Sequence, residues 1–220
     1  MKKYEAVIFD LDGTLFDTLD DLTDAVNFVC KEFGYPLRTR EVIRTFLGNG
    51  IERTARLAVP EVVGNEEFAK VFASFKKYYT SHCQIKTKPY AGMLELLQKL
   101  QERGYKLAIV SNKNAAAVEA LNELYFSDYV KVAIGESETV KKKPAPDSVL
   151  KALDLLGIKR EEAVYVGDSE VDKATADNVG MDSILVTWGF RDKPQLEKLQ
   201  STYLVNKPEE ILTCCQETTK

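Results

Sequence analysis

Short apolar runs alternate with amphipathic segments along most of this chain. The runs are rich in Val, Ile, Leu and Ala, and they occupy Ala6–Phe9, Leu107–Val110, Val130–Ile134, Val164–Val166 and Ile184–Val186. They are nearly continuous, which is typical of parallel strands covered on both faces. The segments between them have the apolar spacing of helices, and glycines stand where such helices would end: Gly104, Gly157 and Gly180. The pattern predicts an α/β fold with a doubly wound, mostly parallel sheet, a Rossmann-like core.

One long stretch interrupts this alternation directly after the first apolar run. From Phe16 to about Lys86 the pattern is helical throughout, as in the stripe Leu22, Ala25, Val26, Val29, Cys30 and Phe33. We therefore predict an α/β core domain formed by residues 1–15 and 87–220, and an all-helical domain formed by residues 16–86. An insertion that leaves a core after its first strand and then returns to it is the layout of a cap domain.

The charge balance and the cysteines limit the partners and the compartment. The 30 basic and 34 acidic residues give a net charge of −4, the opposite of the basic excess expected of a nucleic-acid-binding protein. No apolar run approaches the ~20 residues of a membrane span. Asp10 and Asp12 interrupt the opening MKKYEAVIFDLDG, so we expect a first strand there and no export signal. The four cysteines lack zinc or disulfide spacing, which favours a cytoplasmic location, and the single histidine, His82, is expected to be structural.

Polar side chains gather at the ends of the predicted strands and just before the next helices. They comprise carboxylates, a hydroxyl and an ammonium: Asp10, Asp12, Ser111, Lys143, Asp168 and Asp172. Ligands of an open α/β sheet bind outside the carboxyl ends of its strands. We therefore expect these groups to converge at one edge of the sheet.

Clustered carboxylates repel one another unless a cation lies among them. Oxygen ligands of this kind suit Mg²⁺. With a lysine and a hydroxyl beside it, Mg²⁺ would form a site for a phosphoryl group, and an aspartate could then act as a nucleophile. Gly13 permits a tight turn whose backbone amides can face phosphate. The residues thus favour phosphoryl transfer.

Four segments in order, DLDGTLFD, SNK, KP and GDSEVD, resemble the four motifs of the haloacid dehalogenase superfamily. The resemblance covers nearly the whole chain and is closest to phosphatases with a helical cap inserted after the first motif. Within these, the segment FLGNGIERTAR makes the chain most similar to the phosphoglycolate phosphatases. The resemblance implies a Mg²⁺-dependent phosphatase acting on a small phosphorylated metabolite such as phosphoglycolate.

The resemblance also implies a role for each matching residue. Asp10 would attack phosphorus, and Asp12 would protonate the leaving oxygen and then deprotonate the attacking water. Ser111 and Lys143 would hold phosphate oxygens, and Lys143 with Mg²⁺ would keep Asp10 ionised. The metal ligands would be Asp10, the backbone carbonyl of Asp12, Asp168, and Asp172 directly or through water.

Several of these positions have a structural alternative. Asn112 is a further candidate for phosphate binding, but either it or Ser111 could instead cap the next helix, and Asp172 could cap the helix that follows it. Carboxylates that suit the positive end of the first inserted helix are found at Asp17, Asp20, Asp21 and Asp24.

Two loops bear on substrate choice. Gly48-Asn49-Gly50 lacks the lysine and spacing of a P-loop, and we predict that Asn49 and Arg53, with Arg44 nearby, face the phosphate ester. Before Lys143, this chain has Gly135-Glu136-Ser137 where the superfamily often shows a Gly-x-Asp pattern. The substrate inference is therefore weakest at that loop.

The residues leave other functions open. A hexose phosphomutase of the β-phosphoglucomutase type would share the catalytic set and differ in cap residues that reposition a sugar bisphosphate. A non-enzymatic phospho-aspartate switch or binding protein would share the acidic cluster and the lysine, but it would not use the inserted cap or an acid/base at Asp12. A haloacid dehalogenase would lack Asp12. We expect a monomer or a weak dimer.

Overall fold

The computed structural model describes residues 3–216, and its strands are numbered in chain order. They are Ala6–Phe9 (β1), Phe16–Asp17 (β2), Lys88–Pro89 (β3), Lys106–Asn114 (β4), Val132–Glu136 (β5), Ala163–Gly167 (β6), Asp182–Val186 (β7) and Tyr203–Val205 (β8). Over the described residues, β2 pairs with β3, and the other strands form one sheet in the order β5-β4-β1-β6-β7-β8. Every neighbouring pair in the larger sheet is parallel. The predicted mostly parallel sheet is confirmed.

Helices alternate with the strands of the larger sheet. The helices are Leu19–Glu32 (α1), Arg40–Arg44 (α2), Ile51–Ala58 (α3), Asn65–His82 (α4), Met93–Glu102 (α5), Ala115–Tyr125 (α6), Asp147–Leu156 (α7), Glu170–Val179 (α8), Lys193–Glu197 (α9) and Pro208–Cys214 (α10). Gly157 and Gly180 cap the carboxyl ends of α7 and α8 in the left-handed conformation, as their positions in the sequence predict. Within residues 3–216, no helix is both long enough and apolar enough to cross a bilayer.

The chain divides after Leu15 and again after Lys88 into two compact units. The smaller unit contains α1 to α4, and α1 packs against the other three helices. Inside this unit, Asp21 does more than suit a helix start. It is buried, and its carboxylate accepts the backbone N–H groups of Lys86 and Thr87, each at 2.9 Å. Asp21 therefore ties the start of α1 to the segment that follows α4.

The larger unit places β1 at the centre of its sheet. All four residues of β1 are inaccessible to solvent, which requires cover on both faces. Burial of each large aliphatic or aromatic side chain contributes about 1.5–3 kcal/mol. The flanking strands are β4 on one side and β6 on the other. The carboxyl ends of these strands therefore lie side by side at the middle of one sheet edge.

Candidate active site

Three strand ends in the larger unit bring polar side chains together. Asp10 directly follows β1, Ser111 lies in the last part of β4, and Asp168 directly follows β6. The N–H of Asp10 donates to the carbonyl of Val166 at 2.8 Å, which continues the pairing of β1 with β6 up to the catalytic candidate. The three side chains are buried. The expected convergence at the carboxyl edge is thus present for residues from three different strands.

Lys143 is the ammonium at the centre of this cluster. Its Nζ lies 2.6 Å from Asp10 Oδ1, 2.8 Å from Asp172 Oδ1 and 3.0 Å from the hydroxyl of Tyr165. The side chain of Lys143 is 3% exposed, whereas the neighbouring Lys142 is 40% exposed and pairs with Glu136. Lys143 ends a run of three lysines, Lys141–Lys143, and its burial differs from the solvent exposure of Lys142. Lys143 projects inward, and these acceptors account for all the donors of its ammonium.

Asp10, Asp168 and Asp172 form an acidic cluster that fits a metal ion. Their carboxylate oxygens lie within 4.8 Å of one another, and all three residues are buried. Burial raises the pKa of Asp10 to about 7, since desolvation and the charge of Asp172 outweigh the attraction of Lys143. Burial and the two other carboxylates raise the pKa of Asp168 well above its ordinary value. Lys143 alone therefore does not neutralise the acidic cluster. The carboxylate oxygens of the cluster suit a hard divalent cation.

Asp172 both caps a helix and supports the cluster. Its Oδ2 accepts the N–H groups of Asp168 and Ser169, each at 3.1 Å, and the hydroxyl of Ser169 at 2.7 Å, which forms a capping box at the start of α8. Its other oxygen faces Lys143. Burial opposes ionisation of Asp172, but Lys143 and these hydrogen bonds outweigh it and lower its pKa. The capping alternative is therefore present in the structure, and Asp172 also lies in the acidic cluster, where its metal-binding role stays a prediction.

Trp188 and Phe190, in the loop after β7, contact the turn that follows β1 and the residue that follows β6, respectively. The indole N–H of Trp188 donates to the carbonyl of Thr14 at 3.0 Å, and the N–H of Phe190 donates to Asp168 Oδ2 at 2.6 Å. Gly13 lies in this turn with φ +88°, and a Cβ at that position would overlap Asp168 and Phe190. Both the backbone conformation and the close approach therefore require glycine there. The binding of phosphate by its amide stays a prediction.

Asp12 is paired with a lysine that the sequence analysis did not single out. Lys113 Nζ lies 3.0 Å from Asp12 Oδ1, and the side chains of Lys113 and Asp12 are 5% and 23% exposed. The sequence pattern gave no signal for this pairing, because the two residues are 101 positions apart in the chain. Tyr165 was missed as well, since a tyrosine inside an apolar run indicates only a buried strand.

The two polar residues at the end of β4 contact the backbone. Ser111 Oγ accepts the N–H of Lys113 at 3.1 Å. The amide of Asn112 accepts the N–H of Lys143 and donates to the carbonyl of Lys143. Phosphate binding by Asn112 stays a prediction. The cap of α6 is Asn114, whose side chain accepts the N–H of Ala116, so the capping alternative for Ser111 and Asn112 is wrong.

The substrate candidates of the smaller unit lie on its surface. Asn49 is exposed in the loop before α3, between Gly48 and Gly50, which both have positive φ. Arg53 is exposed on α3, and Arg44, the last residue of α2, is half-buried. Their contact with a substrate stays a prediction.

Comparison with known proteins gives matches along nearly the whole chain. A family model described as haloacid dehalogenase-like hydrolase matches residues 7–186. A phosphoglycolate phosphatase from Neisseria meningitidis is 33% identical over 203 residues, which cover 90% of this chain and 86% of that protein. A Caldanaerobacter subterraneus protein named provisionally as a pyrophosphatase is 33% identical over 212 residues, covering 96% and 94%. A crystal structure from Lactobacillus delbrueckii, described provisionally as a phosphoglycolate phosphatase, has a TM-score of 0.93 at 39% identity and covers 99% of this chain and 100% of that one.

Proposed function

The chain belongs to the haloacid dehalogenase-like hydrolases, and on this premise we propose that it is a Mg²⁺-dependent phosphomonoesterase that forms an aspartyl-phosphate on Asp10. The observation that carries the proposal is the contact of one buried ammonium, Lys143, with both Asp10 and Asp172. Phosphoryl transfer depends on positioning and on neutralisation of charge. A nucleophile held by a lysine at a strand end, inside an acidic cluster that suits a cation, supplies both.

In the first step, the Asp10 carboxylate attacks phosphorus. A bond forms between a carboxylate oxygen and phosphorus while the bond from phosphorus to the ester oxygen breaks. The electron pair of that bond stays on the leaving oxygen, which takes a proton from Asp12 and departs as an alcohol. Asp12 suits this role because it is the more exposed of the two carboxylates in the DLD segment, 23% against 9% for Asp10.

In the second step, water hydrolyses the aspartyl-phosphate. Asp12, now ionised, takes a proton from water as the water oxygen bonds to phosphorus. The bond from phosphorus to Asp10 breaks, and its electron pair returns to the carboxylate. The sum of the two steps is an ester and water giving an alcohol and phosphate, with both aspartates restored.

The metal would be held by Asp10, Asp168 and Asp172, together with the backbone carbonyl of Asp12. When bound, Mg²⁺ supplies charge neutralisation and polarises a phosphoryl oxygen. Its presence also favours the ionised form of Asp10, which the protein alone opposes by burial. The acidic cluster and the oxygen donors support this assignment.

Ser111 and Lys143 would bind phosphate oxygens. Lys143 can do so only by giving up one of its present acceptors, because an ammonium has three N–H donors. The neutral hydroxyl of Tyr165 is the weakest of the three acceptors, since the other two are carboxylates. We therefore assign the exchange to that contact.

The substrate is proposed to be a small phosphorylated metabolite of the phosphoglycolate type. Support comes from relatives named phosphoglycolate phosphatase at 33% identity. Selection among such substrates would fall to Asn49 and Arg53, so Arg53→Ala should raise KM more than it lowers kcat.

A panel of phosphate esters tests the proposed activity. Phosphate release would be measured with Mg²⁺ or EDTA from 2-phosphoglycolate, glycerol phosphate, hexose phosphates, nucleotides and p-nitrophenyl phosphate. We expect 2-phosphoglycolate to exceed the other metabolites in kcat/KM by ~100-fold, about 2.7 kcal/mol. Asp10→Asn should abolish phosphate release. It should also abolish the increase in protein mass by one phosphoryl group that is seen after acid quenching of the wild type. Asp154→Asn, on the exposed face of α7, should change neither. Steady hydrolysis by Asp10→Asn would contradict the proposed nucleophile.

Pyrophosphate hydrolysis is the second candidate, favoured by the similarity to the Caldanaerobacter protein. Adding inorganic pyrophosphate to the same panel separates the two, because a pyrophosphatase would rank it above every ester. A phosphomutase would convert a hexose phosphate in the presence of its bisphosphate. A phospho-aspartate switch would show labelling of Asp10 without turnover.

A further inference from the structure

A second buried ammonium lies at the same edge of the sheet, and the proposed mechanism gives it no role. Lys113 is 5% exposed at its side chain, and its Nζ lies 3.0 Å from Asp12 Oδ1. A buried ammonium is costly unless it is paired, so a burial this deep beside a carboxylate requires a compensating contact. The contact links residues 101 positions apart in the chain, and it concerns the proposed acid/base.

The backbone at the end of β4 places this lysine. The register between β4 and β5 shifts between Val110 and Asn114, so the last residues of β4 depart from a regular ladder. Within this irregular stretch, the hydroxyl of Ser111 accepts the N–H of Lys113 at 3.1 Å. The backbone of Lys113 is thus fixed by a hydrogen bond that its N–H donates to Ser111, which is itself a candidate phosphate ligand.

The two buried lysines serve different aspartates. Lys143 contacts Asp10 and Asp172, whereas Lys113 contacts Asp12. Moreover, Lys113 contacts Asp12 through Oδ1. A carboxylic acid protonated on one oxygen keeps acceptor capacity on the other, so an ammonium can remain on Oδ1 in both protonation states. With Lys113 on Oδ1, the oxygen of Asp12 that can serve the substrate is Oδ2.

We propose that Lys113 is a positioning residue that holds Asp12 by Oδ1 and so orients Oδ2 as the oxygen that reacts with the leaving group and with water. Oδ2 gives its proton to the leaving oxygen as the ester bond to phosphorus breaks, and it receives one from water in the second step. This inference rests on the proposed function, because it requires Asp12 to be the acid/base. Lys113 itself transfers no proton and forms no bond to substrate.

The dependence of the rate on the leaving group distinguishes a loss of acid positioning from a general loss of active-site structure. Nitrophenolate departs without help from an acid, whereas an alkyl oxygen needs a proton. The measurement is release of alcohol or nitrophenol in a single turnover with enzyme in excess, using p-nitrophenyl phosphate and the alkyl phosphate hydrolysed fastest in the panel. A single turnover isolates the first step from hydrolysis of the aspartyl-phosphate.

For Lys113→Met we expect alcohol release to slow by ~10–100-fold and nitrophenol release by less than ~3-fold, a part of the 10²–10⁴ that general acid catalysis contributes. Asp12→Asn should show the same selectivity, and the double variant should be no slower on the alkyl phosphate than Asp12→Asn alone. Lys106→Met is the matched control: it removes an ammonium from the same strand, where Nζ contacts the carbonyl of Leu156, and should leave both rates unchanged.

Equal slowing on both substrates, or additive losses in the double variant, would overturn the inference. If Lys113→Met does not fold, Lys113→Arg supplies the test, because it keeps the positive charge and changes the length and shape of the side chain. We expect this variant also to slow alcohol release more than nitrophenol release, but by a smaller factor than Lys113→Met. A wild-type protein that hydrolyses no phosphate ester would instead refute the proposed function. If Asp12→Asn shows the selectivity and Lys113→Met does not, only the role of Lys113 fails.

Discussion

Asn112 holds the main chain of Lys143 through both ends of its carboxamide. Its Oδ1 accepts the N–H of Lys143 at 2.7 Å, and its Nδ2 donates to the carbonyl of Lys143 at 3.1 Å. The two residues are 31 positions apart, so the contact joins the end of β4 to the segment before α7. It fixes the backbone from which the Lys143 side chain reaches Asp10.

Asn112→Ala should therefore lower both stability and activity. Losing the two hydrogen bonds costs about 1–3 kcal/mol of unfolding free energy, and displacement of Lys143 from Asp10 should lower kcat by ~10-fold or more. Urea denaturation and steady-state kinetics give the two values.

Asn114→Ala is the control for Asn112→Ala. It removes the cap of α6, at a cost of about 1 kcal/mol, without touching Lys143. Its kcat should match that of the wild type, and an equal loss of kcat in both variants would argue against a specific role of Asn112 in placing Lys143.

Tyr165→Phe removes the hydroxyl between Lys143 and Asp172 and keeps the buried ring. We expect a loss of about 1–2 kcal/mol in stability. We also expect a ~10-fold loss in kcat/KM, because the Tyr165 hydroxyl donates to Asp172 Oδ1 and so holds a carboxylate that orients Lys143. Tyr4→Phe makes the same change elsewhere in the unit, where the hydroxyl donates to Asp182. Thermal melts should show similar destabilisation for both, while only Tyr165→Phe slows turnover. A slow Tyr4→Phe would point to global stability as the cause.

The positions of Asp10 and Asp168 could be predicted from the sequence because their signal is local. A continuous apolar run fixes where β1 and β6 end, and the residue after each run must then lie at the carboxyl edge. Lys113, Asn112 and Tyr165 carry no such signal. Their partners are 101, 31 and 22 positions away, and pairing at that distance depends on the folded sheet.

Short strands and irregular strand ends also could not be predicted from the hydrophobic pattern. The strand β8 has three residues and was missed, since a run of that length does not differ from chance. β4 extends beyond the apolar run at Val110 to Asn114, where the residues are polar and the register shifts. The position of the site follows from hydrophobic patterning, whereas the contacts that orient its side chains follow from tertiary structure.

The metal-free protein should lose stability as pH rises from about 4 to about 7. Burial raises the pKa of Asp10 from an ordinary 3.8 to about 7, so between these values the folded protein keeps a proton that the unfolded chain has lost. The slope of the unfolding free energy with pH is then negative, on the order of 1 kcal/mol per pH unit. Asp168, whose pKa is also raised, acts with the same sign. Urea denaturation in EDTA across this range should show the decline, and Asp10→Asn should make it less steep. Equal slopes of unfolding free energy with pH in the wild type and in Asp10→Asn would contradict the assignment.

Asp168→Asn should separate stability from metal binding. In EDTA, this variant removes a buried carboxylate whose ionisation is opposed by burial and by Asp172 and Asp10, while the amide oxygen can still accept the N–H of Phe190. Its Tm without metal should therefore equal or exceed that of the wild type. Saturating Mg²⁺ should raise the wild-type Tm by several degrees, since a ligand at 100 times its Kd adds about 2.7 kcal/mol, and should leave the variant unchanged. Asp154→Asn, exposed on α7, should keep the full shift. A Mg²⁺ shift in Asp168→Asn as large as that of the wild type would place the cation away from this cluster.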